Sequence, residues 1–232
     1  MSRFSIPDRV GAACATAYIV LILVGNGLAS GGQNDPHPTG SADLADFAEH
    51  PGTIERLGFV MEVLGFVAFM FFLGWLVTTL RGRGGAWGWL SGVAGVAGTL
   101  ALAIKLGSFL PMLAGYADHK DLTPGLARVL ADMNSAGFVL FTFPYAVFMI
   151  GAAGSLLAAG YVGKVLGIGG IVVGAAGVLM PLPTQFDPVD SNVLPWILGM
   201  LWTLCLGIRL AWRGPRAATA DADLVEPVAA MV

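Results

Sequence analysis

The sequence predicts an all-α protein, a polytopic bundle of six transmembrane helices with both termini in the cytoplasm. Three observations carry that expectation. Of 232 residues, 56% are hydrophobic and only 12% are charged, where an average soluble domain is about a quarter charged. So few charges cannot solvate the whole surface of a folded chain, and with a mean hydropathy of +0.77 lipid has to be part of the solvent. The apolar residues also gather into runs near the ~20 residues that a helix needs to cross a ~30 Å hydrocarbon layer. Finally, the lysines and arginines favour alternate connections between those runs.

The runs are read in order as spans at about 10–29, 57–80, 87–110, 133–160, 165–180 and 193–210. The first is expected to be a retained helix. Its rival is a cleaved signal peptide with a small-residue zone at Ala29-Ser30-Gly31, but the run is long enough to span and Asp8 interrupts the basic flank. A polar stretch follows, in which Ser41 reads as the N-cap of a short surface helix carrying Leu44 and Phe47 on one side. Trp87 and Trp89 fall where an interfacial aromatic belt belongs at the start of span three, and Pro111 marks that span's end or a kink. Gly115 to Lys120 reads as a loop. Thr123-Pro124 then reads as N-cap plus first helical residue of a helix leading through Arg128 and Asp132 into span four, where Pro144 predicts a bend. Residues 1–213 form the transmembrane domain, and 214–232 read as a small, acidic, disordered cytoplasmic tail.

Charge sets the orientation. The termini, the turn at 81–85 and the turn at Lys164 carry Arg3, Arg9, Arg81, Arg83, Lys164, Arg209, Arg213 and Arg216, against Arg56, Lys120 and Arg128 in the other connections. The positive-inside rule puts the first set in the cytoplasm. A shift of about 79 positions also lays spans two and three on spans four and five, with Gly58-Phe59-Val60 on Gly137-Phe138-Val139 and Phe69-Met70 on Phe148-Met149. That is the pattern of a parallel internal repeat of two hairpins, with composition alone as the competing explanation. The 33 glycines suit close helix contact in lipid, along Gly92, Gly95 and Gly98 and along Gly163, Gly167, Gly170, Gly174 and Gly177.

Candidate chemistry is sparse. Glu62 and Lys105 lie at matching depths in spans two and three, about 7–8 Å below the outer interface at 1.5 Å per residue. A charge in hydrocarbon costs about 2.5–3.5 kcal/mol, so the two are expected to pair, with separate snorkelling to the headgroups as the alternative. With Arg56 and Asn134 they outline a candidate outward polar notch. His37, His50, His119, Asp118, Asp121, Asp132, Asn134, Asp187 and Asp190 form an outward polar set without metal-site spacing, so solvated loop polarity is the reading. No histidine lies in a span to ligate haem, and neither a phosphate loop nor a GxSxG elbow is present. Cys14 and Cys205 read as buried small hydrophobes. No catalytic residue, cofactor or metal is assigned. A formal charge of −3 without a basic stripe sets nucleic acid aside.

Three function classes remain. A structural or accessory membrane protein, packing on a partner or a second copy through glycine-rich faces, ranks first. A small-solute binder or transporter using the notch follows, and a membrane-embedded enzyme with an outward Asp/His site comes third. The chain also resembles a bacterial family of six-helix integral membrane proteins of unknown function. The resemblance is carried by Glu55-Arg56-Leu57-Gly58, Asn134-Ser135-Ala136-Gly137 and Val165-Leu166-Gly167-Ile168, and covers roughly residues 8–212. It implies the same topology and a multi-pass place in the bacterial cell (inner) membrane, and brings no activity with it.

Overall fold

The computed structural model describes residues 5–29, 40–49, 52–180 and 194–213. Among these the chain is helical throughout, with seven α-helices and no strand: α1 Ile6–Ala29, α2 Gly40–Glu49, α3 Thr53–Leu80, α4 Leu90–Ala117, α5 Pro124–Ala158, α6 Lys164–Leu179 and α7 Leu194–Arg213. Short 3-10 turns at Gly85–Trp87 and His119–Asp121 precede α4 and α5. Five of the helical segments (α1, α3, α4 with the turn before it, α5 and α7) are long and apolar enough to cross a membrane. The helix in the fifth expected span, α6, has only 16 residues, or ~24 Å of rise.

Several boundaries differ from expectation for local reasons. Ser41 lies inside α2 rather than capping it. Helix α4 continues through Pro111 to Ala117, so most of the expected loop at 115–120 is helix and 3-10 turn. Helix α5 runs through Pro144, inside the expected span four. Proline removes one backbone donor per helix, and nearby hydroxyls bond back to the ladder. Ser108 Oγ donates to the Lys105 carbonyl at 2.7 Å and Thr142 Oγ1 to that of Val139 at 2.7 Å. At the start of α5, Thr123 is the N-cap, accepting from the Leu126 amide at 3.3 Å, with Pro124 at the first helical position. Thr123→Ala is expected to lower stability by about 1 kcal/mol, read as a fall in the midpoint of detergent-solubilised unfolding, whereas Thr123→Ser should hold near wild type.

The six apolar helices close a ring in chain order. α1 packs along α3 and α7, α7 on α6, α6 on α5, α5 on α4, and α4 on α3 through the ring's lightest seam. Aromatic side chains fill the centre. Phe69 meets Phe148 edge-on at 5.2 Å and Tyr18 at 4.8 Å, while Tyr145 stacks on Phe141 at 5.3 Å and on Phe148 at 5.8 Å. Tyr145 OH and Thr203 Oγ1 are hydrogen-bonded at 3.0 Å, so this buried phenol keeps a partner.

Small residues set how close the helices come. A Cβ on Gly25 would lie 2.7 Å from the Gly58 carbonyl oxygen, and one on Gly151 would lie 2.8 Å from the Ala94 amide nitrogen. On α6, Gly167, Gly170, Gly174 and Gly177 are all buried against Leu157, Trp202, Ile150 and Ala146. The expected ladder on α4 is only partly used: Gly95 and Gly98 meet Val77 and Leu73, but Gly92 faces open space, and Gly163 is the N-cap of α6. Away from the ring's centre the helices remain apolar, with Phe71, Val96, Leu100, Leu140 and Val172 all more than half exposed. Helices apolar around their whole circumference are what a lipid solvent allows.

The two ends of the ring differ in charge. Antiparallel packing brings the start of α1, the α3–α4 turn, the α5–α6 turn and the end of α7 together, as the contacts of Asp8 with Trp75 and of Arg83 with Tyr161 record. Arg9, Arg81, Arg83, Lys164 and Arg209 therefore share a basic end. Asp43, Glu55, Asp118, Asp121 and Asp132 gather at the opposite, acidic end.

Candidate functional site

Between the aromatic core and the acidic end lies a polar cluster made by α1, α3, α4 and α5. Its centre is Glu62 on α3, a carboxylate only 4% exposed. Burial follows from the α1–α3 contact: Gly25 and Gly58 bring the two backbones together, and the Glu62 stem lies over Gly25, where a Cβ would come within 2.9 Å of its Cγ. The Asn26 amide, next along α1, hydrogen-bonds the carboxylate. Asn26 was not singled out in the sequence. The available signal was a lone amide between two glycines near the end of an apolar run.

Lys105 on α4 is half-buried and interacts electrostatically with Glu62, but the two do not close a contact ion pair. The ammonium instead lies over two rings, with Nζ 4.7 Å from the Phe109 centroid and 5.4 Å from that of Phe138. Phe109 stands one turn further along α4, and rings on a helix lean back toward its N-terminus, which brings this one onto Nζ. Each cation–π contact in a desolvated place is worth up to about 2 kcal/mol. The rings are themselves held, Phe109 by Phe59 at 6.2 Å and Phe66 at 6.2 Å, and Phe138 by Trp196 at 5.2 Å. The expected pair is thus a looser arrangement: an amide-bonded carboxylate and an aromatic-boxed ammonium facing each other across the lightest seam of the ring. It also lies further from the helix ends than expected, because α3 and α4 both extend past their anticipated ends on this side.

The other two notch residues stand apart from this centre. Arg56 is exposed near the start of α3, while Asn134 on α5 is half-buried with its Oδ1 shut away from water and from any donor. A separate cluster docks α2 on the start of α5. Arg128 reaches Asp43 at 3.7 Å and Asp132 at 3.1 Å, and Asp43 is 6% exposed. Asp43 therefore docks α2 on α5 through Arg128, and Asp132, read as solvated loop polarity, lies on α5 and pairs with Arg128 within that helix. Asp118 and Asp121 are exposed. His37, His50, Asp187, Asp190 and the tail lie outside the described residues. Among the described residues no three His, Cys, Asp or Glu side chains come together to hold a metal ion.

Below the Glu62–Lys105 level the ring is closed by rings and aliphatic side chains. A cavity of about 20 Å³ between α5, α6 and α7, lined by Thr142, Tyr145, Met149, Val173, Pro195 and Trp196 among others, has room for about one water. Glu62 and Lys105 are thus held in a packed wall, the carboxylate by Asn26 and the ammonium by Phe109 and Phe138. Compared with protein-family models, with curated proteins and with solved structures, the chain finds no match.

Proposed function

We propose that this chain is a structural or accessory membrane protein with six spans, seated multi-pass in a bacterial cell membrane with its basic end and both termini in the cytoplasm. The observation that carries the reading is the closed interior. Tyr18, Phe66, Phe69, Phe72, Tyr145 and Phe148 are each at most 2% exposed and fill the ring at the depth where a solute would have to pass. A solute path would need polar lining through that half, and the buried Glu62 and Tyr145 are already bonded to Asn26 and Thr203.

Further observations support the finer parts. Tyr18, Ile19 and Ile22 place α1 in the common core, which favours a retained first span. The 16 residues of α6 can cross if the bilayer thins locally and Lys164 snorkels. The basic end is the side that the positive-inside rule assigns to the cytoplasm. For the internal repeat, Gly58 and Gly137 both sit at close helix crossings, against α1 and α4, and Phe69 and Phe148 meet in the core. Partner helices, or a second copy, would pack where Gly74, Gly92 and Gly107 leave backbone open on the lipid-facing side.

The test is cysteine accessibility in a background with Cys14 and Cys205 replaced by alanine. Ala101→Cys and Ala152→Cys, both at fully buried sites, should resist a membrane-impermeant thiol reagent from either side. Gly85→Cys should react from the cytoplasmic side only. Labelling of either buried position would reveal a water path and hand the protein to the transport reading.

A further inference from the structure

The basic end carries exposed cations that meet no carboxylate among the described residues. Arg9, Arg81, Arg83 and Lys164 make no contact ion pair with a carboxylate among the described residues. Asp8, the carboxylate at this end among the described residues, has both oxygens engaged. Ser5 Oγ donates to Oδ2 at 2.6 Å and its amide to the same oxygen at 3.3 Å, while Trp75 Nε1 donates to Oδ1 at 3.2 Å. Asp8 lies within electrostatic reach of Arg83 without pairing with it.

The cations are also placed together. Arg83 lies over the Tyr161 ring at 5.5 Å, which ties the α3–α4 turn to the α5–α6 turn. Beside that contact a Cβ on Gly84 would sit 3.4 Å from that of Ala158. Gly82, Gly84 and Gly85 have φ of +75°, +87° and +56°, so the turn reverses tightly within a few residues and leaves Arg81 and Arg83 both exposed. Lys164 stands three residues beyond Tyr161. Around the cations are large apolar groups turned outward: Trp87 is 60% exposed, Trp89 61% and Val165 90%. Exposed tryptophans beside Arg81 and Arg83, which meet no carboxylate among the described residues, fit a headgroup with acyl chains below it. A free phosphate has no use for those indoles.

We propose that this end binds the phosphodiester headgroup of an anionic phospholipid, with Arg81, Arg83 and Lys164 as the recognising cations and Trp87 and Trp89 along its acyl chains. The proposal rests on the membrane-spanning reading above but not on the orientation, because both faces of a nanodisc meet lipid.

The experiment reconstitutes the full chain in nanodiscs of phosphatidylcholine with and without phosphatidylglycerol and counts the phospholipids retained after delipidation, by mass spectrometry. The wild type should retain phosphatidylglycerol preferentially, and the preference should weaken by about fivefold for each charge removed in Arg81→Gln, Arg83→Gln and Lys164→Gln. Arg56→Gln, at the acidic end, should leave it unchanged. Inorganic phosphate at millimolar concentration should not compete; full competition by it would reduce the site to a simple anion patch and overturn the lipid assignment. Equal retention of both lipids by the wild type would sink the proposal. So would a preference that appears only when residues 214–232 are removed, since the cations would then serve the chain's own acidic tail. A chain that never enters the discs would instead overturn the membrane reading itself.

Discussion

Gly25→Ala is expected to destabilise the protein by about 3 kcal/mol, at the upper end for an overpacked contact, while Gly27→Ala two residues away leaves it unchanged or slightly firmer. The contrast comes from what each new methyl would meet. At Gly25 it would lie 2.7 Å from the Gly58 carbonyl oxygen and 2.9 Å from the Glu62 amide nitrogen, both backbone atoms that can yield only if α1 and α3 part. At Gly27 nothing lies within 4 Å, and a glycine replaced by alanine inside a helix gains roughly 1 kcal/mol of propensity. Thermal unfolding of the purified variants in one detergent reads the difference directly. Equal midpoints would mean that the α1–α3 crossing is not the tight joint the structure makes it. Parting these helices also uncovers Glu62, so the same variant should expose residue 62 to a water-soluble carboxyl reagent that leaves the wild type untouched.

Lys105→Met should be the second large effect, about 3 kcal/mol of lost stability. The variant keeps the stem and its ring contacts but leaves the Glu62 carboxylate buried with Asn26 alone. Glu62→Gln should cost less, about 1 kcal/mol, because the amide keeps the shape and a bond to Asn26, and Phe109 and Phe138 still flank the ammonium. In the double variant no buried charge remains uncompensated, so more than half of the Lys105→Met loss should return. A double-mutant cycle measures this coupling. Additivity within about 0.5 kcal/mol would show that Glu62 and Lys105 do not depend on each other and that each is held by its own surroundings.

Much of this was legible in the sequence because lipid imposes a coarse code. Apolar runs, the alternation of basic connections and the Thr123-Pro124 start of α5 all rest on local composition, and each needs only the solvent or the next few residues to be interpreted. The notch was legible in part. Glu62 and Lys105 stood out because charge in an apolar run is costly wherever it points. Asn26 did not stand out, since a neutral amide near a helix end is cheap wherever it points, and only the packing of α1 on α3 turns it to Glu62. Asp43 was not singled out, because its partner, Arg128, lies 85 residues away in the sequence.

By itself, then, the sequence determined that the chain is helical, where its apolar segments lie and that its cations collect at alternate connections. These follow from backbone satisfaction and solvation, which act on each segment separately. Only the tertiary structure decided which glycines are crossings and which face outward. It also decided that Glu62 bonds Asn26 rather than closing on Lys105, that the ammonium rests between Phe109 and Phe138, and that aromatic side chains from α1, α3 and α5 seal the centre. Those outcomes depend on how far each helix is rotated about its own axis. Helices apolar on every side carry no amphipathic stripe to fix that rotation, so it is set by the fit of small residues against large ones across the ring.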